Sequence, residues 1–289
     1  MFILSYEFSS NNIDEKIELL QINDIFDAFY ENPLEITTDE FGYGYLEKEN
    51  VTIILKVAFN GDPKDLDDFK EKVSSILGKP PINMEEINYN YESFKMPPIE
   101  LKNNWVLCDP SDSSEFEDKN VINFISQGAF GTGLHETTSD ILNYILSKDF
   151  TGKKVLDIGT GSGILSIATA IKNADEVVSL DIRDVTDEVT LNSSLNNLSN
   201  IKIKIGDALS ENLIDDIKYD WIYINIGGEE TTMFMDFIKN HLSINGYLLV
   251  SGLVTWSYEK IKDFILENGF KVESELNTNE WCTSIFKRI

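Results

Sequence analysis

The spacing of apolar positions changes character along the chain. Up to residue 93 it marks short elements of mixed type. Phe2 to Phe8 reads as a strand. Ile13 to Tyr30 has helical spacing, with Ile13, Ile17, Leu20 and Phe26 or Phe29 on one side. Phe41 to Glu47 alternates aromatic and small residues, and Val51 to Ala58 is β-branched and apolar, so each predicts a strand. After Asp62-Pro63, the stripe Leu66, Phe69, Val73, Ile76 and Leu77 predicts a second helix. A last strand falls within Glu85 to Tyr91. The order β-α-β-β-α-β predicts a small α+β ferredoxin-like domain over residues 1–93.

Residues 94–120 then read as a linker. Pro97-Pro98 and the run Asp109-Pro110-Ser111-Asp112-Ser113-Ser114 are turn signals, with short strands predicted at Trp105 to Cys108 and Val121 to Ile125. From Gly152 the rhythm changes. Lys154–Ile158, Val177–Ile182, Ile201–Ile205, Trp221–Asn225 and Tyr247–Val250 are short apolar runs, mostly separated by segments of helical length. Phe270–Leu276 and Trp281–Phe286 add two further strands, one of them an antiparallel edge. The alternation predicts an α/β domain over residues 121–289, Rossmann-like, with a seven-stranded and mostly parallel sheet.

Composition narrows the partners. The 289 residues are 42% hydrophobic, enough for about two ordinary globular cores. The formal net charge is −26. The first 120 residues hold 26 acids and 10 bases, the rest 24 and 14. Neither part offers the basic surface that a phosphate backbone requires, so direct nucleic-acid binding is not expected and a basic protein partner is. The two cysteines, Cys108 and Cys282, have no metal-ligand spacing, and with no apolar run long enough to span a bilayer a cytoplasmic protein is expected. The start, Met1 to Glu7, does not read as a signal peptide.

Chemistry is concentrated at Val155-Leu156-Asp157-Ile158-Gly159-Thr160-Gly161-Ser162-Gly163-Ile164-Leu165, which joins the first strand of the second domain to a helix. Glycine lets such a loop turn sharply and approach a ligand, and in open α/β sheets ligands lie at the carboxyl ends of the strands. The dinucleotide fingerprint requires glycine or alanine at its third position, which neither register supplies: Ile164 or Ser166 stands there. Asp181 ends the second strand, where a carboxylate can accept from both hydroxyls of a ribose. Asp207 follows the third strand, and Asn225 ends the fourth with an amide that both donates and accepts. A second glycine-punctuated loop, Gly128-Ala129-Phe130-Gly131-Thr132-Gly133-Leu134-His135-Glu136-Thr137-Thr138, precedes a helix. With only His135 and His241 in the chain, no metal site is expected, and His135 reads as a hydrogen-bonding loop residue.

Together these segments resemble the PrmA family, the methyltransferases of ribosomal large-subunit protein eleven. The pattern Ala-Phe-Gly-Thr-Gly-x-His-x-Thr-Thr stands at Ala129–Thr138 and Asp-x-Gly-x-Gly-Ser-Gly-Ile-Leu at Asp157–Leu165; Asn225-Ile226 and Trp281-Cys282 complete it. The resemblance implies a class I methyltransferase fold using S-adenosyl-L-methionine. It implies cofactor contacts at Phe130, Thr138, Asp157, Gly159, Gly161, Gly163, Asp181, Asp207 and Asn225. It also implies N-methylation of lysine or N-terminal amines on a ribosomal large-subunit protein. No residue reads as a dedicated catalytic base; Asn225 and neighbouring backbone carbonyls are expected to orient the amine while water takes the proton. The chain departs from the family pattern at Arg183, at Thr186, at Gly227-Gly228 and in Tyr89–Phe94. Other readings stay open at this level: a methyltransferase of another protein or a small molecule, and a non-catalytic module that binds the cofactor. A nucleic-acid amino-methyltransferase would carry Asn-Pro-Pro-aromatic where Asn225-Ile226-Gly227-Gly228 stands.

Overall fold

The computed structural model describes residues 1–87, 96–210 and 217–289 and divides the chain into two compact units. The first comprises Met1–Asp39 and Tyr43–Ser93, the second Glu40–Gly42 and Phe94–Ile289.

In the first unit the elements are β1 (Phe2–Ser9), α1 (Ile13–Ile22), β2 (Ala28–Phe29), β3 (Leu34–Thr38), β4 (Tyr43–Glu47), β5 (Thr52–Phe59), α2 (Leu66–Leu77) and β6 (Asn83–Glu86). The main sheet has the order β2-β5-β1-β6 and is antiparallel throughout. That is the ferredoxin-like arrangement the element order implied, with β3 and β4 inserted as a separate hairpin. Alternate residues of β5, Ile53, Leu55 and Val57, join Leu4 and Tyr6 of β1 in one core covered by Leu20, Val73 and Leu77 of the helices.

Three sequence expectations shift here. The helix expected over Ile13–Tyr30 stops at Ile22, because Asp24 turns left-handed (φ 61°) and Ile25 N–H bonds back to the Leu20 carbonyl. Phe26 and Phe29 are exposed rather than on a buried helix face. The strand expected at Phe41 begins at Tyr43 and pairs with Leu34–Thr38, a strand not expected at all. The last strand runs Asn83–Glu86; positions 88–91 of the expected span lie outside the described residues, as do Tyr89–Phe94 and the expected boundary at 93.

The second unit contains β7 (Ile99–Leu101), β8 (Trp105–Cys108), β9 (Asn120–Asn123), α3 (Glu136–Leu146), β10 (Lys154–Ile158), α4 (Ile164–Ile171), β11 (Glu176–Asp181), α5 (Thr186–Leu195), β12 (Ile201–Ile205), β13 (Tyr219–Asn225), α6 (Gly228–Met233), α7 (Met235–His241), β14 (Leu242–Val254), α8 (Thr255–Glu267), β15 (Phe270–Thr278) and β16 (Trp281–Arg288). The stretch read as a linker is folded: β7, β8 and β9 form a small sheet. Its Leu101, Leu107 and Ile122 are buried with Ile141, Leu142 and Ile145 of α3. Proline and serine marked turns there, but the apolar residues between them have a surface to cover.

The large sheet is seven-stranded, β12-β11-β10-β13-β14-β16-β15; the one reversed strand, β16, runs antiparallel to both β14 and β15 and lies one in from the edge rather than at the edge as expected. Its inner strands are mostly apolar because both faces are covered, while the edge strands β12 and β15 alternate apolar and polar residues. Neighbouring residues divide between two cores: Val155, Val177, Trp221, Tyr223 and Leu249 on one face, Leu156, Val178, Ile222, Ile224 and Val250 on the other. Strand order reverses between β10 and β13, which opens a crevice at their carboxyl ends.

Candidate functional site

That crevice is a cleft of about 640 Å³ lined by the ends of β10, β11, β12, β13 and β14, by α6 and by the loop before α3. Its floor is the turn from Ile158 to Gly163. Gly159 and Thr160 N–H groups both donate to the Leu180 carbonyl, holding the turn against β11. Gly161 has φ 53°, and a Cβ there would stand 2.6 Å from the Phe130 carbonyl oxygen. A side chain would be strained and would collide with backbone. Gly159 faces Ile226 across the cleft. Gly163 turns away from it toward Val189 and begins α4.

Beneath the turn lies Asp157, fully buried. Its Oδ2 accepts from Thr160 Oγ1 at 2.7 Å and from Ser166 Oγ at 2.8 Å, and Ser179 Oγ donates to Ser166 Oγ at 2.7 Å. Burial pushes its carboxyl up to about 6, with the two hydroxyls opposing and the Asp181 charge adding to the rise. Asp181 is almost buried at the end of β11. It accepts the Gly161 N–H on Oδ2 at 2.9 Å and the Arg183 N–H on Oδ1 at 3.0 Å. The Arg183 guanidinium turns toward it, Nε 3.8 Å from Oδ1. Asp207 is exposed after β12 and holds its own turn by accepting the Leu209 N–H at 2.9 Å.

The upstream loop closes over the floor. The Phe130 carbonyl accepts the Ser162 N–H at 3.0 Å, and Ser162 Oγ donates to the Gly131 carbonyl at 2.8 Å. His135 caps α3, its Nδ1 accepting the Thr137 N–H at 3.3 Å and lying 2.9 Å from Thr137 Oγ1. Its ring lies between Phe130 and Trp281, with centroids 5.5 and 4.7 Å away, so the three form one aromatic wall.

On the opposite side Asn225 ends β13, in register with Ser251 of β14. Its Oδ1 is buried without a hydrogen-bond partner. Glu230 and Phe234 of the α6 region and Gly252 complete that side.

Of the residues singled out in the sequence, Phe130, Gly159, Gly161, Asp181, Asp207 and Asn225 line one cleft. Thr138, Asp157 and Gly163 do not. Thr138 is buried, its Oγ1 unpartnered, and Thr137 lines the cleft instead. Adjacent helical residues point about 100° apart, which the pattern Thr-Thr cannot resolve. Sequence reasoning missed Glu230, Phe234 and Gly252, which no motif marked. Arg183 had registered only as a departure and Trp281 only as a motif match.

The sequence from residue 62 to 289 matches the family described as "Ribosomal protein L11 methyltransferase (PrmA)". A protein named ribosomal protein L11 methyltransferase from Fusobacterium nucleatum is 32% identical over 221 residues, covering 71% of this chain and 70% of that protein. One of the same name from Anoxybacillus flavithermus is 29% identical and covers 89% of each chain. The crystal structure of a ribosomal protein L11 methylase from Lactobacillus delbrueckii subsp. bulgaricus superposes with a TM-score of 0.59 at 26% identity, covering 67% of this chain and 99% of that one. With the sheet order, the glycine turn and the Asn225 corner all in place, this chain belongs to the ribosomal protein L11 methyltransferase (PrmA) family.

Proposed function

We propose that this chain transfers methyl groups from S-adenosyl-L-methionine to amino groups, lysine side chains or the N-terminus, of ribosomal protein L11. The observation that carries the reading is the buried, unpartnered Oδ1 of Asn225 beside the glycine turn. A buried acceptor left without a donor is costly, and turning the Asn225 amide so that Oδ1 meets an N–H of a bound ligand would satisfy it. The turn fits the cofactor's amino-acid portion for a second reason: at Gly161 any side chain would meet the Phe130 backbone, so the floor is kept bare.

In this reading Asp181 holds the ribose hydroxyls with the lone pairs its two amide bonds leave free, and Asp207 faces the adenine. Phe130 covers the cofactor from the aromatic wall. Asp157 and Gly163 hold the turn in shape from behind. When bound, S-adenosyl-L-methionine supplies a methyl group activated by the positive charge on sulfur. The work left to the protein is positioning the incoming nitrogen in line and in its neutral form. A lysine amine has an ordinary pKa of about 10.4, and a desolvated site next to a positive charge lowers it. Asn225 orients that amine, and water takes the proton. The ferredoxin-like unit recognises the substrate protein, and the acidity of the first 120 residues, 26 acids against 10 bases, suits a basic partner in the cytoplasm.

The test is incubation with methyl-labelled cofactor and unmethylated ribosomal proteins, with Asp181→Ala alongside. Label on L11 that is lost in the variant supports the reading. Tight cofactor binding with no label on L11 overturns the substrate and keeps the chemistry.

A further inference from the structure

Glu230 has no role in the machinery described so far. It sits in the first turn of α6, five positions after Asn225, and lines the same cleft beside Phe234 and Ile226. Among the described residues no hydrogen bond or ion pair engages its carboxylate. The cleft's arginine, Arg183, is turned to Asp181 instead. Space for the carboxylate comes from Gly227: a Cβ there would stand 2.8 Å from Glu230 Oε2. Gly227 has φ 177°, extended backbone open to any residue, so room and not conformation is what glycine provides.

Two residues with an acceptor that lacks a donor therefore line one side of the cleft: Glu230 through its carboxylate, and Asn225, whose Oδ1 is buried and reaches a ligand when the amide turns toward the cleft. An ionised carboxylate only accepts. A neutral primary amine has two N–H bonds and one lone pair. We propose that Glu230 is a second substrate-binding catalytic residue, which with Asn225 accepts the two N–H bonds of an unmethylated amine and so points its lone pair at the methyl group. The inference rests on the reading of the cleft as an amine methyltransferase. In the step, the nitrogen lone pair forms the new N–C bond while the S–C bonding pair leaves with sulfur, which becomes neutral. The nitrogen becomes cationic and releases one proton to water. After one transfer a single N–H remains to be held, and after two there is none. The contribution of Glu230 therefore declines with each methyl group added.

The experiment compares wild type with Glu230→Met, Glu230→Gln and Gly227→Ala on L11 carrying no methyl groups and on L11 already monomethylated. Readouts are initial rates, mass spectra of the products and calorimetric cofactor affinity. Butylammonium binding to each protein is measured separately. Glu230→Met is expected to lower kcat/KM on the unmethylated amine roughly 10- to 100-fold, the effect of one lost hydrogen bond to a charged group. Its effect on the monomethylated amine should be smaller, so intermediates vanish from the spectra relative to end product. Cofactor affinity should stay within about twofold, since no cofactor contact is removed. Glu230→Gln, which keeps an acceptor, should fall between, and Gly227→Ala should resemble it by displacing the carboxylate without unfolding the chain. Equal losses on both substrates, or a loss of cofactor affinity matching the loss of rate, would overturn the proposal. Wild-type turnover matched by Glu230→Met sinks the Glu230 role and leaves the methyltransferase reading standing. Butylammonium binding that depends on Glu230, without methyl transfer by wild type, does the reverse.

Discussion

The two sides of the cleft are built in opposite ways. On the β11 side every acid has found donors within the protein: Asp181 takes two backbone N–H groups, Asp207 takes one, and Asp157 takes two hydroxyls beneath the floor. These groups are locked before any ligand arrives. On the β13 side Asn225 Oδ1 is buried and unpaired, and the Glu230 carboxylate hangs over a glycine. A locked side can hold a constant ligand at little entropic cost, whereas unsatisfied acceptors reward a ligand that brings N–H donors. The division suits a cofactor that is always the same and an amine that changes with each methyl group.

Substitutions on the locked side should act through structure and cofactor affinity together. The largest effect is expected at Gly161→Ala, where a left-handed residue would meet the Phe130 carbonyl. A loss of about 3 kcal/mol or more in urea unfolding, with cofactor binding abolished in calorimetry, is the expected result. Asp157→Asn comes next and changes the pH profile of stability. Folding raises this carboxyl from 3.8 to about 6, so the folded state holds the proton more tightly. Its contribution is complete below the unfolded value and is lost as pH rises through about 6. The variant should therefore gain on wild type as pH rises from about 4 to about 7, by up to about 3 kcal/mol in unfolding free energy. A parallel pair of stability curves would show that Asp157 is not protonated on folding.

Asp181→Ala leaves the Gly161 and Arg183 amides without their acceptor. Cofactor affinity should fall about 100-fold, with a loss near 2 kcal/mol in stability. On the unsatisfied side the sign of the stability change should differ. Asn225→Ala removes an unpaired buried oxygen, so stability should hold or rise slightly while kcat falls about tenfold and cofactor affinity changes little. Full turnover in that variant would remove Asn225 from the mechanism. Asp207→Ala is the mildest, with at most about a threefold change in cofactor affinity, because its one bond secures an exposed turn.

The sequence was most legible where local chemistry repeats a rule. The spans of β10 and β12 were read to the residue for different reasons: β10 is buried along most of its length, whereas β12 is an edge strand whose isoleucines alternate with lysines at the strand period. The glycine turn was legible because only glycine suits a left-handed position pressed on backbone. Less was visible where neighbours decide. Helix α1 stopped at Ile22 although the apolar spacing continued, because Ala28 and Phe29 were claimed by β5. Hairpin β3–β4 had no buried face to impose alternation. The supposed linker carried its apolar residues into the core under α3. At the site, six of nine singled-out residues reached the cleft, and the division between Thr137 and Thr138 depended on how α3 lies against the sheet.

The sequence by itself determined the order of elements, the sheet class and the identity of the turn, since periodicity and glycine placement act over a few residues. It also marked Asp181 and Asn225, which stand at strand ends where any open α/β sheet presents side chains to its crevice. Only the tertiary structure decided that Asp157 works from beneath the floor, that His135 caps a helix inside an aromatic wall, and that Glu230 enters the cleft through the space Gly227 leaves. Each of those outcomes depends on atoms far apart in the chain meeting within hydrogen-bond or van der Waals distance, and no local pattern encodes that meeting.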